Sequence, residues 1–126
     1  MNSNEYIFNQ LSNDALLVSL LWGADKVVGW VADEDVKAPL ISIFRLDRER
    51  SFSMKSIQKH IFQLSVWSED EILGDNIADR VDDLLHWLRS DENWIKSVLV
   101  LRDDSRWDKN SRLYGIHITV KVKVVK

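Results

Sequence analysis

The side chains that could do chemistry are few, and their spacing suits none of the common reactions. His60, His86 and His117 fall on a predicted strand, a predicted helix and a second predicted strand. No two of them have the spacing of metal ligands, so structural or surface roles are the better reading. In "RDDSRWD", Asp103, Asp104 and Asp108 could offer oxygens to a divalent cation. The stretch lacks the alternating donors and distal glutamate of a calcium loop, which favours a solvated hairpin tip. Asp75, Asp79, Asp82 and Asp83 could be read as paired carboxylates. They fall mostly on the wet side of a predicted helix, with no apolar neighbours to raise a pKa, so a solvated face is the better reading. The four glycines, at 23, 29, 74 and 115, are scattered and build no phosphate-cradling loop. There is no cysteine, hence no disulfide, thiolate metal site or cysteine nucleophile. No nucleophile has a credible base. The residues therefore point to no enzyme activity, no cofactor and no metal.

Two features suit binding better than catalysis. Between Asp47 and Ser56 the chain reads as a long polar connection that places Phe52 and Met54 among Arg48, Arg50 and Lys55. From Arg45 to Lys59 there are five basic residues and two acids, in a chain of net charge −3. Such an arm either folds back onto its own sheet or orders against a partner. The second feature is Arg106 with Trp107 at the other hairpin tip. Both residue types are enriched where interfaces concentrate their binding energy. The competing reading is a tryptophan that covers its own hairpin.

The elements that must position these residues follow from hydrophobic period. Asn4 to Leu11 reads as a short helix. Ser12, Asn13 and Asp14 are capping types ahead of a second, apolar helix from Ala15 to Leu21, which Gly23 would end. Lys26 to Val31 reads as a short edge strand weakened by Gly29. Leu40 to Leu46 and Ile57 to Trp67 read as strands, the second with Phe62, Leu64 and Val66 on one face. Ser68 with Glu71 forms a predicted capping box, and the acids that follow suit the positive end of a helix dipole. Leu73, Ile77, Val81, Leu84, Leu85 and Leu88 then make one apolar stripe. Trp94 to Asp104 is a predicted third strand, "DDSRWDKNSR" a turn-rich tip, and Leu113 to Val125 a last strand alternating along its length. The expected fold is α+β: an antiparallel sheet of about four strands in helix-β-β-α-β-β order, with helices packed on one face.

At 126 residues the chain is one expected domain, residues 1–126, large enough for a core without staples. Its apolar fraction of 45% and charged fraction of 29% are those of an ordinary globular protein. The first residues lack the basic region of a signal peptide, and the apolar run Ala15 to Trp22 is too short to cross a bilayer. The negative net charge speaks against a dedicated nucleic-acid binder.

Three stretches in order are similar to one family. "ALLVSLLWGADKVVGWVADEDVKAPLISIFR" resembles its opening: an apolar helix, a Val-rich strand, a loop, a proline and a long strand. "KHIFQLSVWSEDEILGDNIADRVDDLLHWL" resembles its strand ending in Val-Trp, an acidic turn and a helix rich in Ala, Asp, Arg and Leu. "SRLYGIHITVKVKV" resembles its last strand, opened by a Leu-Tyr pair. The family is the phage tail-completion proteins of long-tailed bacteriophages, also called tail terminator or head–tail joining proteins. Where many members carry a glycine-rich stretch between helix and third strand, this chain has "RSDENW".

The resemblance implies a structural virion protein, assembled in the host cytoplasm. It implies a homo-oligomeric ring, typically a hexamer, at the head-proximal end of the tail tube. Its expected partners are other copies of itself, the tail tube protein and the head connector or stopper. DNA would pass through the lumen without sequence recognition, and no membrane is involved. On this reading Arg48, Arg50, Phe52, Met54, Arg106 and Trp107 are the expected contact residues. The alternative is a small ferredoxin-like ligand-binding or regulatory domain. It would need a pocket with convergent polar groups, for which the sequence offers no sign. An enzyme, or an enzyme's subunit, ranks last.

Overall fold

A computed structural model of the chain describes residues 3–23, 26–29, 38–50, 57–86, 88–91, 94–110 and 112–125. Helix α1 (Ser3–Ser12) buries Ile7 and Leu11, and α2 (Ala15–Leu21) buries Leu17 and Leu21. Both pairs are four residues apart and so lie on one helix face. Asp14 caps α2, its carboxylate accepting from Leu17 N–H at 2.9 Å. The helix ends not at Gly23 but at Trp22, which takes the left-handed conformation with φ 66°. Helix α3 (Glu71–Leu85) is capped by Asp70, which accepts from Ile72 N–H at 3.1 Å, rather than by Ser68. Ser68 still belongs to strand β3 (Ile57–Ser68), where it pairs with Tyr114 and is fully buried. Its hydroxyl accepts from Asp70 N–H at 3.1 Å and donates to Asp70 C=O at 2.8 Å. It thereby shapes the turn instead of the helix end.

The expected antiparallel sheet of about four strands in helix-β-β-α-β-β order is corrected by the structure. Strand is the predominant structure. The sheet is mixed and has six strands, in the order β1-β2-β3-β6-β4 with β5 also paired to β6. Strand β1 (Val27–Gly29) runs parallel to β2 (Leu40–Arg50). Three residues carry too little alternation to reveal a direction, so the periodicity could not show this. Strand β2 extends past Leu46 to Arg50, because β3 is long enough to pair with all of it. A register shift between Arg45 and Asp47 absorbs one residue, and Glu49 then stands opposite Lys59. Strands β4 (Ile95–Arg102) and β5 (Arg106–Asp108) share one edge of β6 (Leu113–Val125). What reads as one long turn is thus partly strand. Turn-forming composition lost to the backbone partners that the start of β6 leaves open.

Long strands β3 and β6 pair antiparallel at the centre. Phe62, Leu64 and Val66 from β3, with Ile116, Ile118 and Val120 from β6, build the floor of the core. Helix α3 lies on it through Ile77, Ala78, Val81 and Leu85, while Leu73, Leu84 and Leu88 flank the core half-buried. Helices α1 and α2 pack against α3. One ion pair ties this layer together. Arg80 on α3 donates from Nε and Nη2 to both carboxylate oxygens of Asp14, at 2.9 and 2.8 Å. Asp14 thus caps one helix while it grips another. The Arg80 hydrogen bonds hold its carboxyl below the usual value, with help from Leu17 N–H and against the opposing effect of burial.

Two outcomes follow for stability. Leu85→Ala truncates a fully buried side chain and should cost about 2–5 kcal/mol in denaturant melts. Asp14→Asn keeps the capping oxygen but removes the charge that Arg80 holds. A depressed carboxyl pKa stabilises the fold above the unfolded value of 3.8 and ceases to do so as pH falls through the folded one. The variant should therefore be less stable than the parent at neutral pH, with the gap closing in urea melts below that range. A gap independent of pH would show that the pair contributes nothing.

Candidate functional site

The sheet has a second face, against which no described helix packs. Alternation along β3 places Ile61, Gln63, Ser65 and Trp67 there, and register brings His117 and Thr119 of β6 beside them. Polar groups at its centre satisfy one another. Gln63 Nε2 donates to Ser65 Oγ at 3.2 Å and lies 3.2 Å from His117 Nδ1, and Ser65 Oγ lies 3.0 Å from the same nitrogen. The Gln63 amide nitrogen can only donate, so His117 Nδ1 accepts from it. Ser65 and His117 thus form a contact of the kind a hydrolase uses. Ser65 is only 2% exposed, however, and its hydroxyl is engaged by Gln63 as well. The cluster orders the face; it presents no nucleophile to solvent.

Trp67 closes one end of this cluster. Its ring meets His117 edge-on at 5.8 Å and lies across Gly115, where a Cβ would come within 2.7 Å of a ring carbon. Farther along β6 the face changes character. Leu99 and Leu101 of β4 remain 38% and 49% exposed, beside Lys121 and Lys123 of β6, with Lys59 of β3 opposite Lys123. These three lysines are exposed and belong to none of the ion pairs among the described residues. On the opposite side of the molecule, α3 carries five acids and one arginine. Arg102 of β4 reaches two of the acids, Asp79 and Asp75.

The residues singled out from sequence are scattered rather than gathered. Arg48 and Arg50 lie in β2, opposite His60 and Gln58, so that part of the expected arm is strand. Phe52 and Met54 lie outside the described residues. Arg106 and Trp107 form β5, with Trp107 against Tyr114 at a ring distance of 4.8 Å and still 48% exposed. His86 sits at the end of α3 and accepts from Val100 N–H at 3.2 Å, which covers part of the edge of β4. His60 is buried beside Gln58. Among the described residues no group of three or more His, Cys, Asp or Glu is placed to hold a metal, and no helix is long and apolar enough to cross a membrane. A shallow depression of about 170 Å³ lies between Trp22, Pro39, Ser68, Asp70 and Leu73. Small-molecule sites usually have roughly 300–1,000 Å³.

No family model matches this chain, and no curated protein does. Among solved structures, a chain of the virion of a native gene transfer agent particle has the same fold, with a TM-score of 0.78 at 20% identity. The match covers 95% of this chain and 92% of that one. At this identity the likeness is one of fold.

Sequence reasoning passed over the exposed apolar side chains Leu99, Leu101, Ile72 and Trp22. Two left a signal. "VLVL" in the third strand is apolar on both faces although only one face has a helix to cover it, and Ile72 departs from the buried stripe of α3. Gly115 yields a direct test of the packing on this face. Gly115→Ala should cost about 1–3 kcal/mol in denaturant melts, because the Trp67 ring must move aside. An unchanged midpoint would mean that Trp67 does not lie across the strand.

Proposed function

We propose that this chain is a non-enzymatic structural protein of a phage-like virion. In this reading it forms a ring, as a hexamer, at the head-proximal end of a tail tube, where it ends tube growth and joins tail to head connector. The observation that carries the reading is the likeness of fold to a chain of a gene transfer agent virion, over 95% of this chain and 92% of that one. The order of the three family-like stretches supports the finer assignment. The site chemistry agrees with it: the polar groups of the open sheet face bond to one another, and the exposed residues are leucines, tryptophans and charges suited to packing.

Copies of the chain meet head to tail, the kind of contact that closes into rings. The tail tube protein lies on one side and the connector on the other. DNA passes through the lumen without base recognition, which suits a net charge of −3. Arg48, Arg50, Phe52 and Met54, and Arg106 and Trp107, reach these partners.

Electron microscopy of intact particles carrying a labelled copy should place the label at the head-proximal end of the tail. Label elsewhere, or its absence from the particle, ends the reading. Replacing both Phe52 and Met54 by serine should leave the melting temperature nearly unchanged and yield unjoined heads and tails. Normal joining by this variant removes Phe52 and Met54 from the contact.

A further inference from the structure

The two outward faces of the molecule are complementary in charge and spacing. On α3 the residues pointing away from the core are Ile72, Asn76, Asp79 and Asp83, all exposed and spaced to form one stripe. Ile72 is 71% exposed, an apolar residue at the head of an acidic line. On the open sheet face, Leu101 stands beside Thr119, Leu99 beside Lys121, and Lys123 follows two residues on. That strip reads apolar, then basic. From Ile72 to Asp83 the helix advances roughly 16 Å at 1.5 Å per residue. From Thr119 to Lys123 the strand advances roughly 13 Å, and lysine side chains cover the difference. Three lysines share this face, two of them directly opposite each other, and Glu49 of β2 stands opposite one of these, Lys59.

Direction matters as much as spacing. Helix α3 begins beside the Ser68–Tyr114 pair and ends where His86 meets Val100, the partner of Val120. It therefore runs the same way as β6. Laying Ile72 of one copy over Leu101 of another, with Asp83 over Lys123, preserves that direction in both copies.

We propose that the outward stripe of α3 (Ile72, Asn76, Asp79, Asp83) docks on the Leu99–Leu101–Lys121–Lys123 strip of a second copy of this chain. The contact is heterologous: each copy offers its helix stripe to one neighbour and its sheet strip to another. All copies then present the same end of the sheet to the same side, so that the Trp22, Pro39 and Trp107 end meets one partner and the opposite end another. This inference rests on the ring reading of function and names the surfaces through which neighbouring copies meet.

Background-free cross-linking tests it, since the chain has no cysteine. Chains carrying I72C and chains carrying L101C are mixed in equal amounts and oxidised at high concentration. The expected product is a mixed dimer well above its random share over either homodimer. Adding K121E/K123E to the L101C chain should abolish that excess. Adding N76K/D83K to the I72C chain should then restore it, which a merely misfolded partner would not allow; Asp79 keeps its bond to Arg102 throughout. No excess of mixed dimer, or an excess indifferent to these charges, overturns the proposal. Loss of duplex DNA binding in K121E/K123E with cross-linking untouched assigns the strip to nucleic acid and also overturns it. Rings seen by negative stain without the mixed dimer sink this contact but leave the proposed function standing. The mixed dimer in a chain absent from the virion tail does the reverse.

Discussion

The pairing of β3 with β6 is the constraint on which the rest of the molecule depends. These two strands run side by side from Ile57–Val125 to Ser68–Tyr114 without a register shift. Every other strand except β1 hangs on one of them. Because side chains alternate, one choice of register decides both faces at once. It puts Phe62, Leu64 and Val66 with Ile116, Ile118 and Val120 on the side that α3 must cover. By the same parity it puts Gln63, Ser65 and His117 on the other side. A slip by one residue would place a glutamine, a serine and a histidine under a helix that has nothing to bond them, at a cost of several kilocalories per mole.

That parity accounts for the character of the open face. Its polar groups are held in a closed set of hydrogen bonds, with Trp67 across Gly115 at one end. Such an arrangement is rigid and has little left to offer a substrate. The charges are divided instead between the two sides of the molecule: acids on the outward side of α3, lysines at the far end of the bare sheet. Inside the chain, Arg102 takes two of those acids and fastens the helix to β4, while Arg80 of α3 binds Asp14 at the head of α2.

The sequence by itself determined the local elements, wherever one strong period ran long enough. The helical stripe from Ile77 to Leu85 and the alternations of β3 and β6 were legible because each repeats one burial requirement many times. What only the tertiary structure decided depends on partners distant in the chain. The parallel direction of β1, the extension of β2 through Asp47 to Arg50, and the recruitment of Arg106–Asp108 as a strand all come from backbone groups that a neighbouring strand leaves unpaired. Composition in those places favours turns, and pairing overrides it. The transfer of the α3 cap from Ser68 to Asp70 has the same origin, because β6 holds Ser68 in the sheet. The meeting of Gln63, Ser65 and His117 came from the same source: residues more than fifty apart become neighbours only once β6 has chosen its register on β3.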